Sequence, residues 1–224
     1  GSLRGQTMLI TGANTGLGLE SAKRLAAAGA RVVVTARTQS KADGAVDRVR
    51  AYCAERNVEA PELIGLALDL SSLKSVSSLP ERLRAAAGQG VHLEVLMNNA
   101  GVMAVPERAE TADGFERTVG VNHLGHFALT AGLMPILRKA EGGFRIINVA
   151  SDAHGFVNRK QVAAALDEKL DPPYTSGWSS YGLSKAANVL FTLELRKRIA
   201  DAGLAGSAVA LHPGVVRTAV ARPS

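Results

Sequence analysis

Short apolar runs alternate with longer amphipathic stretches from the first residues almost to the last. Thr7–Ile10, Arg31–Thr35, Leu63–Ala67, Leu93–Met97, Arg145–Val149 and Ser207–Leu211 read as short buried strands, bounded by Gly, Asn, Asp or Pro. Between them the spacing predicts helices near 16–28, 39–55, 72–87, 111–138 and 178–202, with Gly29 where a glycine would close the first. Strands alternating with helices call for an α/β fold: a Rossmann-type, doubly wound parallel sheet with helices on both faces. Right-handed crossovers then bring the carboxyl ends of all strands to one edge, where ligands bind. Chemistry is therefore sought just after the strands.

Two features interrupt the alternation. Residues 152–177, with Pro172-Pro173 and Gly177, form a long connection expected to be a functional or mobile loop. The chain also ends at Ser224, soon after the sixth strand. No internal repeat or second boundary is visible, so residues 1–224 are read as one domain.

Composition removes several function classes. Hydrophobic residues make up 46% of the 224, enough for a sizeable core, and disorder is not expected. The net charge of +6 arises from 26 basic and 20 acidic residues. The basic side chains are scattered and aromatics do not interleave with them, so nucleic acid is not an expected partner. A groove for an anionic cofactor needs only a few local cations. Cys53 is the lone cysteine, which precludes an intramolecular disulfide, and it reads as a half-buried helix residue. No apolar run reaches the roughly 18 residues that span a bilayer, and no signal peptide opens the chain. A soluble, cytoplasmic protein is the expectation, with organelle targeting left open.

Directly after the first strand stands Thr11-Gly12-Ala13-Asn14-Thr15-Gly16-Leu17-Gly18, opening a helix. Glycines there allow a tight turn and close approach of backbone to a pyrophosphate, and the helix N-terminus offers free N–H groups. At the end of the second strand a carboxylate would select NAD through the ribose diol. Ala36-Arg37-Thr38 stands there instead, and the Arg37 guanidinium suits a 2′-phosphate, which favours NADP.

Tyr181 and Lys185 lie four apart on a predicted helix and share a face. A free tyrosine, with a pKa of about 10, is a poor base at neutral pH; a neighbouring ammonium favours its phenolate and makes acid–base work feasible. Ser151 follows the fifth strand, where its hydroxyl could hold a substrate oxygen. Asn98-Asn99-Ala100-Gly101 follows the fourth strand, Asp69-Leu70 the third, and Asn122 sits in the helix at 111–138. Each has a plain reading as a cap, a turn or a satisfied core amide; their shared location at strand exits and in the flanking helices argues for one site. His123, His126, His154 and His212 do not form a convincing ligand cluster, so no metal is expected and these residues read as turn or packing positions.

With these motifs together, the chain resembles the short-chain dehydrogenase/reductase family, and within it the retinol-dehydrogenase-like branch. The resemblance rests on Thr11–Gly18, Asn98–Gly101, Asn122-His-Leu-Gly125, Tyr181-Gly-Leu-Ser-Lys185 and His212-Pro-Gly214, and runs from about residue 5 to 218. It implies a catalytic tetrad of Asn122, Ser151, Tyr181 and Lys185. Ser151 would polarise the carbonyl and Tyr181 would donate the proton in reduction. Lys185 would assist the tyrosine and bond the nicotinamide ribose, and Asn122 would hold the helix bend and a relay water linked to Lys185. For the NADP(H) cofactor the resemblance implies contacts from Gly12, Asn14, Thr15, Gly16, Leu17, Gly18, Arg37, Asp69, Leu70, Asn99, Ala100, Gly101, Tyr181, Lys185, Pro213, Gly214, Val216 and Thr218.

It further implies a small-molecule carbonyl or alcohol substrate and a homo-oligomer formed through the two long helices. Phe156 and Trp178 point to a lipophilic, retinoid- or steroid-like substrate, unless they merely anchor the 152–177 connection on the core. The chain departs from the family pattern by ending without the last strand and the substrate-covering segment. That departure is expected either of a chain truncated at its C-terminus or of an unusually open site, and it keeps a second reading open: a cofactor-binding regulatory protein with little turnover. The intact tetrad argues against it.

Overall fold

The structure, a computed structural model, describes residues 2–167 and 174–214. Six strands, β1 (Thr7–Ile10), β2 (Arg31–Ala36), β3 (Leu63–Ala67), β4 (Val95–Asn98), β5 (Phe144–Val149) and β6 (Gly206–Leu211), form one sheet in the order β3-β2-β1-β4-β5-β6. Every pairing is parallel. The order reverses between β1 and β4, and that switch point opens a crevice beyond the strands' carboxyl ends.

Alternation along the strands sorts the core into two layers. Leu9 of β1 and Val33 of β2 face α3 (Leu73–Ala87) and α5 (Gly125–Leu137), through Val76, Leu79, Leu129 and Leu133. Their neighbours Met8, Ile10, Val32 and Val34 face the opposite way, against α1 (Gly16–Ala27) and α2 (Gln39–Ala54). Burying a leucine fully is worth about 1.5–3 kcal/mol, so both faces must be covered. Cys53 is fully buried in the second layer, deeper than the half-buried position expected from sequence. Gly29, at φ +96°, closes α1 as expected.

Three expectations are corrected. The fourth strand begins at Val95, not Leu93, because the Glu94 carboxylate takes the Thr7 N–H at 2.6 Å in place of a strand partner. The helix expected over 111–138 begins only at Arg117, since Thr111 and Phe115 close a turn across Asp113-Gly114. It runs as α4 (Arg117–Val119), a π-turn (Gly120–Leu124) and α5, with Glu116 capping the start through bonds from the Thr118 and Val119 N–H groups. The connection at 152–177 is not plain loop. It carries a 3₁₀ turn (Asp152–Phe156) and α6 (Arg159–Asp167), and the helix is started by a reciprocal capping box between Asn158 and Gln161. Pro172-Pro173 lies outside the described residues. The last helix, α7 (Gly177–Asp201), is capped by Ser176. No helix among the described residues is long and apolar enough to cross a membrane.

Candidate active site

The glycine turn sits at the switch point. Gly12 has φ +62°, and a Cβ on it would meet the Ala100 Cβ at 2.9 Å, so only glycine lets the turn lie against Asn99-Ala100. Gly18 presses on the Asn99 side chain in the same way. Thr11 fastens the two loops: its Oγ1 accepts the N–H groups of Asn99 and Ala100, each at 2.9 Å, and the Asn99 amide donates to the Thr11 carbonyl at 2.8 Å. Whereas α2, α3 and α7 carry side-chain caps, Thr15 makes none for α1. The first N–H groups of that helix are thus left to an anion. This cradle fits the pyrophosphate of a dinucleotide.

Arg37 follows β2 on the exposed surface. Arg48 of α2 reaches across to the Asn14 carbonyl at 2.8 Å, a contact the sequence reading did not anticipate. Past β3, Asp69 Oδ1 accepts from the Ser71 N–H and hydroxyl, which shapes the turn, and Leu70 is buried in the core.

Beyond β4 and β5 the elements converge. Gly101 borders both Asn122 and Lys185: a Cβ there would lie 3.1 Å from Asn122 Oδ1 and 3.8 Å from Lys185 Nζ. Asn122, in the π-turn, is fully buried. Its amide bonds both the N–H and the carbonyl of Val102, and donates to Ser184 Oγ at 3.0 Å. Ser184 in turn donates to the Tyr181 carbonyl. The main-chain oxygen of Asn122 accepts from His126 Nδ1 and Asn188 Nδ2, each at 3.1 Å. A relay water at that oxygen would therefore have to share it with two protein donors.

Lys185 is buried and donates to the Val149 carbonyl at 2.8 Å, with Nζ 5.5 Å from the centre of the Tyr181 ring. Desolvation pushes its pKa down to about 8, which still leaves the ammonium mostly charged at pH 7. Ser151 lies two residues past Val149 and caps the 3₁₀ turn through the Ala153 N–H. Gly182 brings α7 against that turn: a Cβ there would meet the Ala153 carbonyl at 2.9 Å. Tyr181 stacks edge-on with Trp178, ring centres 6.1 Å apart. Phe156 and Trp178 are 68% and 52% exposed, so neither anchors the connection on the core. His212 meets the Asp152 carboxylate at 3.1 Å, which holds Pro213 and Gly214 near the same strand ends; Val216 and Thr218 lie outside the described residues.

Sequence reasoning missed the roles of Ser184 and Asn188, and it read His126 only as a turn or packing residue, whereas its ring bonds Thr11 and the Asn122 carbonyl. For two of them a sequence signal existed: Ser184 and Asn188 are four apart on α7, a spacing that puts side chains on one helical face. Of the histidines read as turn or packing residues, His154 bonds the Ser151 carbonyl, and His123 bonds Asn188 while touching the Phe127 and Phe191 rings. No group of three or more His, Cys, Asp or Glu among the described residues could hold a metal ion.

Residues 6–164 match the family described as short chain dehydrogenase. The chain is 41% identical to retinol dehydrogenase 12 of Homo sapiens over 99% of its own length and 65% of that protein's. Thus it spans about two thirds of the curated relatives it matches. Among solved structures it resembles a short chain dehydrogenase/reductase from Burkholderia phymatum in complex with NAD, with TM-score 0.74, 27% identity and coverage of 98% of this chain and 69% of the other. It also resembles the Pseudomonas aeruginosa RhlG/NADP active-site complex, with TM-score 0.72, 27% identity and coverage of 97% and 75%.

Proposed function

Because the chain belongs to the short-chain dehydrogenase/reductase family, with retinol-dehydrogenase-like relatives, we propose that it is an NADP(H)-dependent oxidoreductase interconverting a carbonyl and an alcohol. One observation carries this reading: Tyr181 and the buried Lys185 share a face of α7, with Nζ 5.5 Å from the phenol ring, beside Ser151 at the end of β5. When bound, the nicotinamide supplies or accepts the hydride.

The chain's own residues supply orientation and proton transfer. Ser151 and Tyr181 donate hydrogen bonds to the substrate oxygen as it gains negative charge, and Tyr181 passes its proton to it in reduction. Lys185, charged at neutral pH and set in a desolvated pocket, favours the phenolate that remains and bonds the nicotinamide ribose. Asn122 keeps the π-turn in register with Gly101 and Val102. Gly12, Asn14 and Thr15 to Gly18 would cradle the pyrophosphate and Arg37 would take the 2′-phosphate; the Asp69 turn would line the adenine, and Asn99, Ala100, Gly101, Pro213 and Gly214 would line the rest of the cofactor.

Exposed Phe156 and Trp178 beside Tyr181 support a lipophilic alcohol or aldehyde as substrate, of retinoid or steroid type. The outer faces of α5 and α7, with Phe127, Leu190 and Leu193 about half exposed, support a homo-oligomer. The test follows NADPH oxidation over a panel of retinoid, steroid and aliphatic carbonyls. Tyr181→Phe is expected to lower turnover by about 10²- to 10⁴-fold. Equal rates in both proteins would overturn the assignment, and NADPH binding without turnover in the parent would favour a regulatory role.

A further inference from the structure

His126 is buried to 2% exposure among the aliphatic side chains of α5, and the catalytic scheme above does not use it. Its ring bridges two parts of the site. Nδ1 faces the main-chain oxygen of Asn122 at 3.1 Å, an acceptor only, so Nδ1 carries the proton. Nε2 is then a lone-pair acceptor and takes the hydroxyl proton of Thr11 at 2.8 Å, the Met97 carbonyl being a longer alternative at 3.4 Å. Thr11 Oγ1 meanwhile accepts the N–H groups of Asn99 and Ala100, so its one donor and both lone pairs are engaged. The result is a closed chain of hydrogen bonds from the cofactor turn, through one imidazole, to the π-turn that carries Asn122.

An aliphatic side chain, like Leu129 and Leu133 on the same helix, would fill this slot without desolvating a polar ring. What the imidazole adds is a donor at one end and an acceptor at the other, set at the separation the two loops need. Burial in the core opposes a second proton on the ring most strongly, and the charges of Lys185 and, when protonated, His123 add to it against the Asn122 bond, so the neutral tautomer persists at working pH.

Resting on the oxidoreductase reading, we propose that His126 is a positioning residue that couples the Thr11 glycine turn to the Asn122 carbonyl, so that cofactor binding and the geometry of the proton-transfer site are set together. The coupling is separable by substitution. His126→Asn keeps an amide N–H at the Nδ1 position and drops the Thr11 bond. His126→Gln extends an amide oxygen toward Thr11 and drops the Asn122 bond. His126→Leu drops both.

The experiment measures, in the complete protein, NADPH affinity by fluorescence of the single Trp178, kcat and KM for a carbonyl, and the melting temperature. His126→Leu is expected to weaken NADPH binding and lower kcat by about tenfold each, the worth of one buried hydrogen bond. The Asn variant recovers most of kcat but not of affinity; the Gln variant recovers affinity but not kcat. Should His126→Leu fail to fold, the contrast between the Asn and Gln variants decides the test, with affinity and kcat expected to separate between them. Losses that track the melting temperature alone, or three variants within about twofold of the parent, overturn the proposal. A parent that binds NADPH but turns nothing over defeats the oxidoreductase reading while the affinity arm still decides this one; a parent that binds neither NADPH nor NADH defeats both.

Discussion

Arg37 stands one residue past β2 with its guanidinium exposed and no carboxylate among its described partners. On the proposed reading, the choice between the two nicotinamide cofactors rests on this side chain. A guanidinium–phosphate contact contributes on the order of 1.5–3 kcal/mol, and a carboxylate there would repel the 2′-phosphate while accepting from a ribose diol. Arg37→Asp is expected to lower kcat/KM for NADPH by about tenfold to a hundredfold and to raise it for NADH; steady-state kinetics with both cofactors checks this, and an unchanged preference rules Arg37 out. At this scale the sequence made Tyr181, Lys185, Ser151 and Asn122 visible, because strand exits and a four-residue helical spacing point to them without coordinates. That His126 reads from sequence as a turn or packing residue, and that Asn188 escapes notice, has a physical reason. Whether a helical residue faces the site depends on the rotation of its helix, and the π-turn at Gly120–Leu124 shifts that rotation in a way a regular 3.6-residue period does not reveal.

The elements that present these side chains have little slack. Gly177, the first residue of α7, lies against the backbone of the 104–105 loop: a Cβ would sit 2.3 Å from the Val105 carbonyl oxygen and 2.7 Å from the Ala104 carbonyl carbon. Both atoms are main chain, so neither can rotate aside. Tyr181 follows one turn later, and Tyr174 bonds the same Val105 oxygen at 2.6 Å. Gly177→Ala must therefore displace the first turn of α7, with an expected cost of about 1–3 kcal/mol in stability. Turnover should fall about tenfold or more with cofactor affinity nearly unchanged, since the glycine turn lies on other elements. Melting curves and separate kcat and Kd measurements check this; parent-like turnover would mean that α7 is not held by this contact. The elements themselves were largely legible, because buried strands of four to six residues flanked by turn residues leave a strong pattern. The start of the helix near 117 was not, because Glu116 acts there as a cap rather than as a helical residue, and α6 was missed although Asn158 and Gln161 carry its capping box.

Across the whole molecule, the doubly wound sheet follows from the alternation of strands and helices, but the ionisation of the groups it buries does not, since that depends on solvent exclusion at particular points. His126, His123 and Lys185 make stability rise with pH, while the Cys53 thiol, pushed up by burial, opposes Lys185 on the alkaline side. His126 is lowered by burial from 6.5 to about 4. Above pH 6.5 it is neutral in both folded and unfolded chains and contributes nothing. As pH falls from 6.5 toward 4 the unfolded chain takes up a proton that the folded one does not, so stability is lost across that window, by on the order of 3 kcal/mol. His123, also lowered by burial, adds to the same limb. Lys185, lowered by burial from 10.5 to about 8, acts in the same direction higher on the scale. Above 10.5 it is neutral in both states; between 10.5 and 8 only the unfolded chain is protonated, and below about 8 the penalty is constant. Without cofactor, urea unfolding should thus give stability that climbs from pH 4 to 6.5, levels off to about 8, and climbs again toward 10.5. Lys185→Met should remove the upper rise and His126→Gln should flatten the lower one. A single smooth limb, unaltered by either substitution, would mean that these two side chains are not held desolvated beneath the cofactor crevice.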